Sequence, residues 1–148
     1  MRQPVVVVTF FCQSGETEKL ALSAAVGAVQ ARAMIRLRRL PDPDVPQINE
    51  ELARMRKEYV PPAEGDLVGA DALILVSSPQ STPSTAPWKD FLDLLGSLRD
   101  KLRGKVGAAI GGIGPIMTGL GLTTIPEAPI DPLLLGRAIG EAARNSRR

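Results

Sequence analysis

The sequence predicts an α/β fold built on a parallel sheet, and three observations carry that prediction. Short β-branched or apolar runs alternate with helical patterns from end to end, the pattern of successive βα units. The apolar runs are nearly continuous, as strands buried on both faces are. Finally, each of three runs leaves into a polar or glycine-rich stretch, and ligands of open α/β sheets bind beyond the carboxyl ends of the strands.

The first strand is expected over about Val5 to Phe11, with a helix from about Thr17 to Ala31 that sets Leu20, Ala21, Ala24 and Ala28 near one face. A second strand spans about Met34 to Leu40, and Pro41-Asp42-Pro43-Asp44 ends it. Arg36 and Arg38 share one face of it, a charge placement that protects an edge strand from mispairing. Ile48, Leu52, Met55 and Tyr59 fall at helical spacing between about Gln47 and Tyr59, and Pro61-Pro62 stops that helix. Asp71 to Ser78 is the next buried strand. A proline-stiffened loop, Pro79 to Pro87, follows it.

The clearest helix comes next, with Trp88, Phe91, Leu92, Leu95, Leu98 and Leu102 on one stripe. That spacing favours the core for Trp88 over a role as a stacking surface for a ligand. Lys105 to Ile110 makes a fourth strand and exits through Gly111-Gly112-Ile113-Gly114-Pro115. A short fifth strand is expected near Leu122 to Ile125. Asp131 to Arg144 closes as a helix, capped by Asp131 with Pro132 in its first turn. The chain reads as one domain over residues 1–148, without a repeat or linker.

Composition narrows the chemistry. The chain is 148 residues and 44% hydrophobic, enough for one proper core. It has no histidine and one cysteine, which excludes the usual zinc sites, serine–histidine and cysteine–histidine catalysis, and an internal disulfide. An enzyme of this composition leans on a cofactor. A net charge of +2 with 3% aromatic residues gives no case for nucleic acid. No apolar run is long enough for a membrane span, no secretory signal is visible, and the single cysteine fits a cytoplasmic protein.

The most specific signal is the first exit loop, Cys12-Gln13-Ser14-Gly15-Glu16-Thr17, between the first strand and first helix. It is neither the dinucleotide G-x-G-x-x-G nor the G-x-x-x-x-G-K-[ST] loop. Its hydroxyls, glycine and helix-start N–H groups suit a phosphomonoester held by hydrogen bonds alone. An ordinary strand–turn–helix with Ser14 as cap is the plainer reading. The loop resembles the phosphate loop of the flavodoxin-like family, with Ser14, Gly15 and Thr17 matching and Cys12 standing where Ser or Thr is usual. Ser78-Pro79-Gln80-Ser81-Thr82, followed by Trp88-Lys89-Asp90-Phe91-Leu92-Asp93, is similar to the branch that holds tryptophan-repressor-binding-protein-like flavoproteins and NAD(P)H-dependent FMN reductases. Gly104-Lys105-Val106 and Gly111 to Gly114 resemble the same branch.

The resemblance implies a flavodoxin-like three-layer sandwich with sheet order 2-1-3-4-5. Only about ten residues separate the fourth strand from Leu122, so the fourth helix of that fold is expected to be shortened or missing. It further implies FMN, with Cys12, Ser14, Gly15, Glu16 and Thr17 at the phosphate, Pro79, Gln80, Ser81 and Thr82 bordering the isoalloxazine, and Gly112, Ile113 and Gly114 along the ring or ribityl edge. No side chain is assigned a catalytic role. The implied activity is hydride transfer from NAD(P)H to a quinone-type acceptor, in a homo-oligomer. Two alternatives stay open: a flavodoxin-like scaffold that has lost FMN and acts as a binding protein, and a flavodoxin-type electron carrier. The +2 charge counts against the carrier, whose docking relies on a strongly acidic surface.

Overall fold

The computed structural model describes residues 3–11, 15–41, 50–78, 87–111, 122–124 and 131–146. Five strands form one sheet: β1 (Val5–Phe10), β2 (Met34–Arg39), β3 (Ala72–Val76), β4 (Val106–Ile110) and β5 (Thr123–Thr124). The helices are α1 (Glu16–Gln30), α2 (Glu50–Glu58), α3 (Glu64–Gly69), α4 (Trp88–Ser97), α5 (Arg99–Leu102) and α6 (Pro132–Ser146). The sheet order is β2-β1-β3-β4-β5 and every pairing is parallel. This is the flavodoxin-like arrangement expected from the sequence. Residues 112–121, where the fourth helix was expected to be shortened or missing, lie outside the described residues.

All six residues of β1 and all five of β3 are buried, because helices cover both faces of the sheet. Alternation along the strands divides the core in two. Val6, Val8, Phe10, Ile74 and Val76 face α1, α2 and α6, while Val7, Leu73 and Leu75 face α3, α4 and α5. Trp88 belongs to the second cluster and is 1% exposed, as its spacing predicted. Its ring meets Phe91 edge-on at 6.0 Å.

On the first face, α1 and α6 approach backbone to backbone. A Cβ on Gly136 would collide with the Ala24 carbonyl, and one on Gly27 with the Leu133 carbonyl. One on Gly140 would lie 2.9 Å from the Ala31 Cβ. The alanines of α1, legible only as a small-residue face in the sequence, are therefore half of a close helix–helix seam. Asp131 caps α6 as expected, its Oδ1 accepting from the N–H groups of Leu133 at 2.9 Å and Leu134 at 3.2 Å.

β2 is an edge strand of the described sheet, and its arginines do more than repel a neighbour. The Arg38 guanidinium donates to both oxygens of Asp66, at 3.0 and 3.2 Å, and Arg36 reaches the same carboxylate at 4.0 Å. Arg38 holds the Asp66 carboxyl below the usual carboxylate range, against the opposing effect of burial. Asp66 sits on α3, a helix the sequence reading missed. Six residues with a single buried apolar side chain, Leu67, give periodicity too little to register. The long helix expected from Trp88 to Leu102 is also broken, at Leu98, into α4 and α5.

Replacing Gly136 with Ala is expected to cost about 2 kcal/mol by overpacking the seam. Gly96→Ala, where a Cβ meets nothing within 4 Å, should be neutral or stabilise by about 0.5 kcal/mol. Urea denaturation of the two variants checks this, and equal midpoints would remove the seam from the account.

Candidate functional site

The parallel register brings the carboxyl ends of β1, β3 and β4 side by side, since Phe10 pairs with Val76 and Val76 with Ile110. The β3 and β4 exits are locked together. Ser77 donates from both N–H and Oγ to the Ile110 carbonyl, at 2.8 and 3.0 Å. Gly111 follows with φ +98, and a Cβ there would lie 2.6 Å from the Ser77 carbonyl carbon. Only glycine fits both that backbone and that spacing.

At the β1 exit, Gly15 is the N-cap of α1 in the left-handed region, φ +90 and ψ −12. Lys19 N–H bonds back to the Gly15 carbonyl at 3.2 Å, so the helix begins there. Having no side chain, Gly15 does not cap the helix itself, and N–H groups in the first turn of a helix are donors of the kind that suit an anion. Thr17 in that turn is 5% exposed.

The structure thus places Gly15, Glu16 and Thr17 together at the start of α1. The remaining residues singled out from the sequence lie outside the described residues: Cys12 and Ser14, Pro79, Gln80, Ser81 and Thr82, and Gly112, Ile113 and Gly114. Each of these groups directly follows an exit described above, of β1, β3 and β4 respectively.

The sequence reading missed a charged clasp beside the turn. Glu18, on the first turn of α1 and 5% exposed, accepts from Arg54 of α2 at 2.7 and 3.1 Å and from the Tyr59 hydroxyl at 2.6 Å. The Arg54 hydrogen bond does most to hold the Glu18 carboxyl below its ordinary range, burial opposes it, and Tyr59 adds to the lowering. Burial first, and then the bond to Glu18, push the Tyr59 phenol well above its ordinary value. The Tyr59 ring meets Phe10 edge-on at 5.0 Å, and Arg39 lies over the Phe11 ring at 5.2 Å. Tyr59 and Arg39 also line a cleft of about 250 Å³ with Leu40, Pro41, Arg56 and Pro61.

A second contact of α2 reaches the turn itself: a Cβ on Gly15 would run into the Glu51 carboxylate, with Cδ at 3.0 Å. No linear pattern announced either contact, because 36 residues separate Glu18 from Arg54. The available signal was a carboxylate three residues after Gly15, where helix starts favour acid.

Chemically, the site offers hydrogen-bond donors for an anion at one exit and neutral small residues at the other two. Among the described residues no cluster of His, Cys, Asp or Glu could hold a metal ion. Nor is any described helix long and apolar enough to cross a membrane.

Glu18→Gln should lower stability at neutral pH by about 2 kcal/mol by weakening charge-assisted bonds to a buried group. Because folding depresses the Glu18 pKa, its contribution is present above the ordinary value of 4.5 and is lost as pH falls through the depressed one. Wild type and variant should therefore converge in acid. Parallel stability curves from pH 7 to pH 3 would show that the clasp contributes no linkage.

No protein-family model matches the chain. An NAD(P)H dehydrogenase (quinone) of Paracoccus denitrificans is 32% identical over 113 residues, covering 74% of this chain and 54% of that protein. One of Brucella anthropi is 31% identical over 115 residues, covering 76% and 54%. The chain thus spans about half the length of these curated relatives. Among solved structures, a flavodoxin from the domain Archaea superposes with TM-score 0.61 at 17% identity, over 97% of this chain and 99% of that one. Two-electron reduced Megasphaera elsdenii flavodoxin gives 0.59 at 18%, over 91% and 98%. At such identities the structural likeness speaks for the fold alone. The sheet order and these likenesses together give the chain the flavodoxin-like fold, and its sequence is similar to NAD(P)H dehydrogenases (quinone).

Proposed function

We propose that this protein is an FMN-binding oxidoreductase that passes a hydride from NAD(P)H to a quinone-type acceptor. The observation that carries the reading is the Gly15 turn: a left-handed glycine opens α1 at the carboxyl edge of the sheet, with no side-chain cap at its own position. That turn is a cradle of N–H donors, and a phosphomonoester fits its donor chemistry. Similarity to the quinone-type dehydrogenases supports the activity.

In this reading Cys12, Ser14, Gly15, Glu16 and Thr17 hold the phosphate, Glu16 through its backbone alone. Pro79, Gln80, Ser81 and Thr82 border the isoalloxazine, and Gly112, Ile113 and Gly114 run along the ring or ribityl edge. FMN supplies two-electron chemistry that no side chain of this protein offers. The protein's part is position. The Ser77–Ile110 bonds and Gly111 fix the spacing of the two ring-side exits, and the Glu18–Arg54 clasp fixes the start of α1. The exits of β3 and β4 carry Ser77, Ser78 and Gly111. Such neutral surroundings suit a ring whose electronics are set by backbone dipoles. A cytoplasmic setting and self-association belong to the same proposal. The exposed apolar residues Leu22, Val26 and Val29 on α1 supply a face for the latter.

Titration with FMN tests the reading, with saturable binding at micromolar or lower concentration expected. Anaerobic NAD(P)H should then bleach the flavin band, and a quinone should restore it. Absence of binding at high micromolar FMN would leave a flavodoxin-like scaffold. Changing both Ser14 and Thr17 to Ala should weaken FMN by at least about tenfold, roughly the loss of one charge-assisted hydrogen bond, and leave riboflavin nearly unchanged. Equal loss of both ligands would overturn the phosphate assignment.

A further inference from the structure

The Gly15 turn faces a carboxylate as well as its own N–H groups. Glu51, in the first turn of α2, sets its carboxylate beside Gly15, where a Cβ would lie 3.0 Å from the Glu51 Cδ. A helix N-terminus attracts anions, and Glu51 brings one from within the chain.

Its charge is poorly neutralised compared with its neighbours. Arg54 serves three carboxylates. Glu18 takes two bonds, at 2.7 and 3.1 Å, and Glu58 one at 2.7 Å, whereas Glu51 stands off at 3.9 Å, beyond hydrogen-bonding distance. Glu18 is further satisfied by Tyr59. Of the carboxylates on this arginine, Glu51 is therefore the one whose charge still acts on the turn. With its side chain 47% exposed, it is also free to swing away.

We propose that Glu51 determines the affinity of the site for its flavin: its carboxylate shares the N-terminus of α1 with the flavin phosphate, and repulsion between the two makes FMN an exchangeable ligand. This rests on the assignment of the Gly15 turn to the FMN phosphate. Two anions within several ångströms repel appreciably even at the high effective dielectric of a protein surface. The phosphate therefore binds against Glu51, and α2 has to yield its carboxylate or accept the repulsion. Riboflavin, which lacks the phosphate, does not meet this barrier.

The test is Glu51→Gln, which keeps size and removes charge, beside Glu141→Gln as a charge-matched control on the exposed side of α6. FMN and riboflavin are titrated against wild type and both variants at low and at high salt. Glu51→Gln should bind FMN about fivefold to tenfold more tightly at low salt and release it correspondingly more slowly, with the gain shrinking as salt screens the charge. Riboflavin affinity should stay within about twofold across all three proteins, and the control should match wild type for both ligands. Equal FMN affinity in wild type and Glu51→Gln would overturn the inference and leave the flavin reading standing. So would an equal gain for riboflavin, since that would mark a general loosening of α2. Failure of FMN to bind both wild type and variant would overturn the flavin reading and this inference with it.

Discussion

Everything in this molecule hangs on β1, a strand with no exposed residue, flanked by β2 and β3 and covered on both faces. A parallel strand in that position has no solvent face, so its sequence is apolar apart from Thr9 and its backbone polarity is spent in the ladder. Polar chemistry is deferred to the carboxyl end, where the chain leaves the sheet. Because β3 and β4 are bound by the same rule, their polar exits emerge at the same edge. The site is a consequence of burial, before any residue is chosen for function.

Two kinds of close approach then fix this edge. Behind the sheet, Gly27, Gly136 and Gly140 bring α6 down onto the alanines of α1, which holds the helix that starts at Gly15. On the same face of the sheet, Glu18 ties that helix to α2 through Arg54 and Tyr59. The first contact is steric and insensitive to salt or pH. The second is ionic but largely withdrawn from water on the Glu18 side, so it is stronger than a surface ion pair. An anion-binding turn needs such double support, since a helix start that shifts by an ångström changes every donor distance at once.

What the sequence made legible follows from the range of each interaction. Strands β1, β3 and β4 were readable because burial on both faces leaves nearly continuous apolar runs, and α4 because its stripe is apolar at helical spacing. Sheet order came from the resemblance, carried by the loop around Gly15. By contrast α3 was too short to show a period, and the break at Leu98 falls in the middle of an unbroken leucine pattern. The site divided along the same line. Gly15 and Thr17 were visible because strand, turn and helix are contiguous in the chain, whereas Arg54, Tyr59 and Glu51 reach the turn from over thirty residues away through the folding of α2. Linear patterns encode local geometry, and charge pairing across the fold leaves no period behind.

The distribution of charge around the three exits divides their labour. Among the described residues, the ionic groups gather on the β1–β2 side: Glu18, Glu51, Arg54 and Glu58, with Arg39 against Phe11. The β3 and β4 exits carry Ser77, Ser78 and Gly111, and the chain has no histidine to place there. A ligand whose anionic end lies at β1 and whose aromatic end lies at β3 and β4 is thus sorted by charge along its length. For the proposed flavin, electrostatics on the phosphate side would govern how tightly it is held, and neutral dipoles on the ring side what it does. Separating the two lets affinity change through a residue such as Glu51 without disturbing the chemistry at the other end.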